Sequence, residues 1–106
     1  MQVLALAENV AADAVAAQVG VALLNTPFLP GRQVVGEISF SGNYAVAGTI
    51  KIQSSPDNAT WTDQLVAATI NTKEGDVATD NYMRANCTAA GTAASKYSVY
   101  LFAAAS

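Results

Sequence analysis

The chain has 106 residues, a formal net charge of −3, 52% apolar residues and 12% charged residues. That length suits one domain that buries a core without disulfides or metal, and the apolar share excludes global disorder. The five cations, Arg32, Lys51, Lys73, Arg84 and Lys96, are scattered along the chain, which argues against a nucleic-acid surface built from clustered Lys and Arg and against an anionic membrane.

Residues 1–15 are Ala-rich, with helical propensity but no steady helical stripe, and read as an N-terminal arm. A short helix there is the alternative. From Val19 the pattern alternates, with Val19, Val21 and Leu23 on one side, and predicts a strand over about 16–24. Two prolines and a glycine make 25–31 a loop. Residues 32–40 read as a strand that puts Val34, Ile38 and Phe40 on one face around Gly36, while Gln33, Val35, Glu37 and Ser39 point away. Ser41, Gly42 and Asn43 turn the chain. A strand over 44–54 follows, with Ile50 and Ile52 inward and Lys51 and Gln53 outward.

Ser55, Pro56, Asp57 and Asn58 form a β-turn by their chemistry: proline presets φ, and Asp and Asn tolerate the positions after it. Trp61 opens a strand reaching about Asn71. Residues 72–76 read as a polar turn. A strand over 82–88 places Cys87 on one face with Met83 and Ala85, which suits a buried small hydrophobe. Small residues over 89–95 form a loop, and 96–104 is the last strand. Six to eight short strands separated by turn signals predict an all-β antiparallel sandwich, jelly-roll-like, occupying 16–106 as a single domain behind the arm.

In the last strand Tyr97, Val99, Leu101 and Ala103 line one face and Ser98, Tyr100, Phe102 and Ala104 the other. A strand with one wet face alternates with polar residues, and this one does not. Either the N-terminal arm of the same chain covers the second face, or Tyr100 and Phe102 meet another subunit. The low charge content, about half the usual share of roughly 25%, suits a surface that packs among other subunits.

Histidine is absent, which removes His-based acid–base catalysis, Ser-His-Asp triads and most zinc sites. No glycine-rich phosphate loop is present. Asp57, Asp63, Glu74, Asp76 and Asp80 fall in or beside expected turns, as solvated turn residues do. Glu74, Asp76 and Asp80 offer oxygens for calcium, but their spacing does not fit an EF-hand. The reading is therefore of a chain with no cofactor, no metal and no catalytic residue. A lone cysteine excludes an intrachain disulfide, and no run of about 20 apolar residues spans a membrane. No basic leader precedes Arg32, so synthesis in a cytoplasm is expected. Trp61 has two readings: a large apolar anchor of the core beside Ile50 and Ile52, or a platform for sugar stacking completed by Tyr44.

The segments GTIKIQSSPDNATWTD at 48–63, NYMRANCT at 81–88 and KYSVYL at 96–101 resemble small virion proteins of tailed bacteriophages. Those chains often read G-T-[IV]-x-[IV]-Q-x-S-x-D-x-x-x-W-T, then Y-[VM]-R-[AV]-x-[VC]-T-A, then a closing alternating strand. The S-x-D-x-x-x-W hairpin is also similar to discoidin-like sandwiches that bind carbohydrate and lipid. The resemblance implies a jelly-roll-like sandwich and a non-enzymatic role as a head decoration, or cement, protein on the capsid surface of a virion, made in the host cytoplasm. Its implied partner is the major capsid protein of the same particle, with self-assembly as a homotrimer or homodimer. On that reading Tyr100 and Phe102 form the subunit contact and Leu4, Leu6 and Val10 of the arm contact the capsid. The alternatives are a carbohydrate-binding module using Trp61 and Tyr44, or an accessory module of the tail or baseplate.

Overall fold

Apolar residues line one alternating row in four segments: Val34, Ile38 and Phe40, with Gly36 in the row; Ile50 and Ile52; Met83, Ala85 and Cys87; and Tyr97, Val99 and Leu101. Each run turns one row of side chains to the same side of a strand, and packing these rows against one another yields two layers. The computed structural model describes residues 2–12, 14–24, 26, 28–42, 48–68, 72–91 and 95–103. Its strands are β1 (Gln2–Ala11), β2 (Ala16–Ala17), β3 (Val21–Ala22), β4 (Gln33–Gly42), β5 (Thr49–Ser55), β6 (Thr62–Ala67), β7 (Lys73–Ala78), β8 (Tyr82–Ala89) and β9 (Ser95–Ala103). One sheet has the order β1-β9-β4-β7. The other has the order β2-β8-β5-β6, with β3 also on β8. Every pairing is antiparallel, so the chain is the antiparallel β-sandwich that its alternation predicts. Sheet A is the one that holds β1, and sheet B the one that holds β8.

The core lies between the sheets. All the residues of the four alternating rows are buried there, and the largest fully enclosed side chains include Tyr97, Leu23, Ile38, Ile50, Ile52, Met83 and Leu101. Cys87 is buried among them, as its position beside Met83 and Ala85 predicts. The loop before β4 contributes as well. Leu23 is sealed and Phe28 is 2% exposed, so both join the core from outside the strands.

Sheet A closes tightly on sheet B at one place. Gly36 of β4 pairs with Gly75 of β7, and both belong to inward-facing rows. A methyl group at Gly36 would lie 2.6 Å from Val77 Cγ2 and 2.7 Å from Ile52 Cδ1, and one at Gly75 would lie 2.8 Å from Leu65 Cδ1. The two glycines thus form a notch that receives Ile52 and Leu65 of sheet B. A bulge where β6 meets β5 places Gln64 between the sheet edges, with Nε2 donating to Ser54 Oγ (3.0 Å) and Oε1 accepting from the Ala78 amide (3.3 Å).

Three segments differ from their sequence reading. Residues 2–11 are not an arm and not a helix but edge strand β1, hydrogen-bonded along β9. Bulges between Ala5 and Ala7 and between Ala7 and Val10 shift its register, and Asn9 sits at φ 48° with its amide donating to Ser98 Oγ. Asn tolerates that left-handed conformation, and the bulges erase the strict alternation that marks a strand in sequence. Residues 73–78, expected to begin as a polar turn, form β7. Its run Lys-Glu-Gly-Asp has poor strand propensity, and pairing with β4 overrides it. The strand expected over 16–24 is reduced to two-residue bridges, β2 and β3, on either side of Gly20.

The turn at 55–58 is as predicted. Asp57 Oδ1 accepts from the Ala59 and Thr60 amides (3.0 and 2.9 Å) and from Ser55 Oγ (3.0 Å), with Asn58 at φ 61°. These bonds hold the Asp57 carboxyl below its ordinary pKa. Buried Thr79, just after β7, ties down the backbone of residues 29 and 32 before β4. Its hydroxyl donates to Leu29 O (2.7 Å) and accepts from the Arg32 amide (2.9 Å), and its amide donates to Arg32 O (2.8 Å).

Replacing the Thr79 hydroxyl with a methyl group leaves the Arg32 amide and the Leu29 carbonyl without this partner. Thr79→Val is therefore expected to cost about 1–3 kcal/mol in denaturant unfolding. Tyr97 behaves oppositely. Its ring is sealed and its hydroxyl makes no hydrogen bond of standard length among the described residues; burial raises its pKa, and a weaker polar approach of the Gln18 side chain partly offsets this. Removing an unsatisfied buried hydroxyl relieves its desolvation cost, so Tyr97→Phe is expected to be neutral or to stabilise by about 1 kcal/mol. Loss of stability would mean that the hydroxyl is bonded.

Candidate interaction surfaces

Paired residues on neighbouring strands share a face, so the registers define what each sheet shows on its outer side. On sheet A one row runs Val3, Phe102, Val35 and Asp76, and the next runs Ala5, Tyr100, Glu37 and Glu74. Val3 is 56% exposed and Val35 42% exposed. The Tyr100 and Phe102 rings lie side by side, centroids 6.3 Å apart and planes tilted by 47°. Strand β1 extends the sheet sideways beside β9, so the N-terminal segment is not the cover for the second face of the last strand. The same placement corrects the assignment of Leu4, Leu6 and Val10 to a capsid-contacting arm. Leu6 is buried, and Leu4 and Val10 pack against the core, because their positions on β1 face the core of their own sandwich.

Register also sets Glu37 directly opposite Glu74. Burial raises the Glu37 pKa, and the Glu74 carboxyl raises it further through a shared hydrogen bond and charge repulsion. Two neighbouring carboxylates cannot both ionise without cost. The described residues include no group of three or more acidic or cysteine side chains able to hold a metal ion. Glu74 and Asp76 lie in strand β7 and Asp80 beyond its end.

The outer face of sheet B carries a hydrogen-bonded chain of polar groups. Asp63 accepts from Lys51 Nζ (2.7 Å) and from Gln53 Nε2 (2.8 Å), and these bonds lower its pKa. Gln53 Oε1 then accepts from Arg84 Nε (2.8 Å) and Asn86 Nδ2 (3.2 Å). Both ends of the Gln53 amide are therefore used, as its 7% exposure requires. Arg84 Cζ lies 4.2 Å from the centre of the Trp61 ring, a cation–π contact. Partial burial lowers the pKa of this guanidinium. Lys51 is paired with Asp63; among the described residues no carboxylate pairs with Arg84.

Trp61 is therefore not the core anchor that its size suggested. It lies outside sheet B, partly exposed, at the head of β6. A methyl group at Gly20 would approach Trp61 Cη2 to 3.0 Å and would collide with Asn58 Oδ1. Gly20, between β2 and β3, thus gives the ring and the turn room at the sheet margin. The core anchors are Tyr97 and Phe28 instead. Tyr44, the partner expected for a sugar platform, lies outside the described residues.

Sequence reasoning placed Tyr100, Phe102, Lys51 and Gln53 on outer faces and missed Arg84, Val3 and the Glu37–Glu74 pair. Val35 was legible as an apolar residue in an outward row. Arg84 was legible as the outward residue between Met83 and Ala85, but its neighbour Trp61 was not, since nothing local tells which side of the sheet the ring takes. Comparison with known proteins finds no matching family model, no similar curated protein and no similar solved structure.

Glu37→Gln removes the repulsion across β4 and β7. A carboxyl whose folded pKa is raised opposes folding once ionised, so stability is lost as pH rises through that pKa. The variant is expected to melt higher than the parent at pH 7. The gap should close below about pH 4, where the Glu37 carboxyl is protonated in the folded and the unfolded state alike. Equal melting temperatures at pH 7 would refute the repulsion.

Proposed function

We propose that this protein is a non-enzymatic structural component of a tailed-bacteriophage particle, of the head decoration type, acting at the capsid surface through contacts with the major capsid protein and with its own copies. The observation that carries this reading is the open row on sheet A: Val3, Phe102 and Val35, with Tyr100 beside them, on a face that no other part of the described chain covers. Aromatic side chains held rigid on a sheet are the usual anchors of interface centres. The low charge content and the resemblance of residues 48–63, 81–88 and 96–101 to small virion proteins support the same reading. Such a protein stabilises a shell by binding its assembled form alone.

A second reading, a carbohydrate-binding module, is favoured by the placement of Trp61 outside the core beside hydrogen-bonding side chains. Arg84 already occupies part of that ring's surroundings, which leaves less of it for a sugar.

Light scattering over a dilution series tests the first reading. Tyr100→Ala combined with Phe102→Ala is expected to weaken self-association at least tenfold, about 1.4 kcal/mol, while the melting transition survives. Loss of the fold would assign that face to the core. A glycan that binds the native protein and quenches Trp61 fluorescence would favour the second reading.

A further inference from the structure

The sandwich is a slab, 39 × 29 × 17 Å in its principal extents, with one sheet's outer surface on each broad side. A face of that size has room for a standard interface of about 800 Å² per partner. The two faces differ in charge. Sheet A shows its apolar row flanked by Glu37, Glu74 and Asp76, with Lys96 farther along β9. Sheet B shows Trp61 and half-buried Tyr82 beside Arg84, and exposed Val66 opposite Lys51. The Lys51 charge there is already met by Asp63, which leaves Arg84 as the cation of that face with no carboxylate partner among the described residues.

Arg84 is also held in place. The Trp61 ring contacts its guanidinium, and Nε is spent on Gln53. The terminal nitrogens of a guanidinium fixed this way form a fork suited to carboxylates. We infer that the outer face of sheet A docks on the outer face of sheet B of a second copy, with Arg84 of one meeting Glu37 and Glu74 of the next and Tyr100 and Phe102 packing beside Trp61. This inference rests on the self-association proposed above and specifies its geometry. Contact between two different faces is heterologous, so it generates a closed ring or an open chain of copies. A closed two-fold dimer formed by sheet A alone is a different arrangement.

The test is a charge exchange. Arg84→Glu makes both faces acidic at the contact, and the double change Glu37→Lys with Glu74→Lys makes both basic. Each variant alone is expected to associate at least tenfold more weakly than the parent. Mixing the two restores association, because each supplies the face the other needs. Association of the parent should weaken as salt rises. Sedimentation or light scattering reads the sizes, and circular dichroism checks that each variant folds. If a charge-reversed variant unfolds, Arg84→Gln and the pair Glu37→Gln with Glu74→Gln give the same reading by loss alone.

Parent protein that stays monomeric up to about 1 mM, a Kd range equivalent to only about 4 kcal/mol, overturns the inference. A dimer lost in the Tyr100→Ala, Phe102→Ala variant but indifferent to every charge change also overturns it, while leaving the sheet A contact itself standing.

Discussion

The register that sets Gly36 against Gly75 governs the rest of the sandwich. Side chains alternate along a strand, so a slip of one residue would turn every inward group of β7 outward. In the observed register the two glycines make the notch for Ile52 and Leu65, and Val77 reaches the core opposite Val34. The same register fixes the outer side. Val35 falls beside Asp76, and Glu37 falls opposite Glu74. The close approach of the two sheets and the crowding of two carboxylates are thus one structural choice seen from opposite faces, and packing density in the core outweighs the local repulsion.

This coupling explains which parts of the fold were legible in sequence. The strands with large inward residues at alternate positions, such as Val34 to Phe40 and Tyr97 to Leu101, announce themselves because the pattern and the packing agree. Strand β7 does not, because Gly75 contributes room where other strands contribute side chains, and its first half, Lys73, Glu74 and Asp76, is charged, which leaves Val77 as its one large inward residue. Strand β1 hides for another reason. Its bulges put Leu6 and Ala7 both in buried positions, which no two-residue period describes.

Trp61 shows a different limit. Its residue type argues for a core, and a small sandwich needs a large apolar anchor. Tyr97 and the loop residue Phe28 fill that need, the latter from a segment that turn chemistry reads as mere connection. With the core occupied, the tryptophan lies on the outer surface of sheet B, where Arg84 and the backbone at Gly20 give it a setting. Local pattern identifies a strand's two faces; which face is covered depends on partners far away in the chain.

Strand β9 lies between β1 and β4 and bonds to both. It comes after both in the chain, and the segments that follow β1 and β4 cross to the other sheet. During synthesis, then, β1 and β4 wait with their facing edges unpaired until residues 95–103 arrive. Sheet B can assemble from β5, β6 and β8 before that moment and β4 can pair with β7, but β1 stays apart from the rest of sheet A until then. The order in which the chain is made and the order in which its strands lie are mismatched, so sheet A closes in one late step, when β9 is inserted.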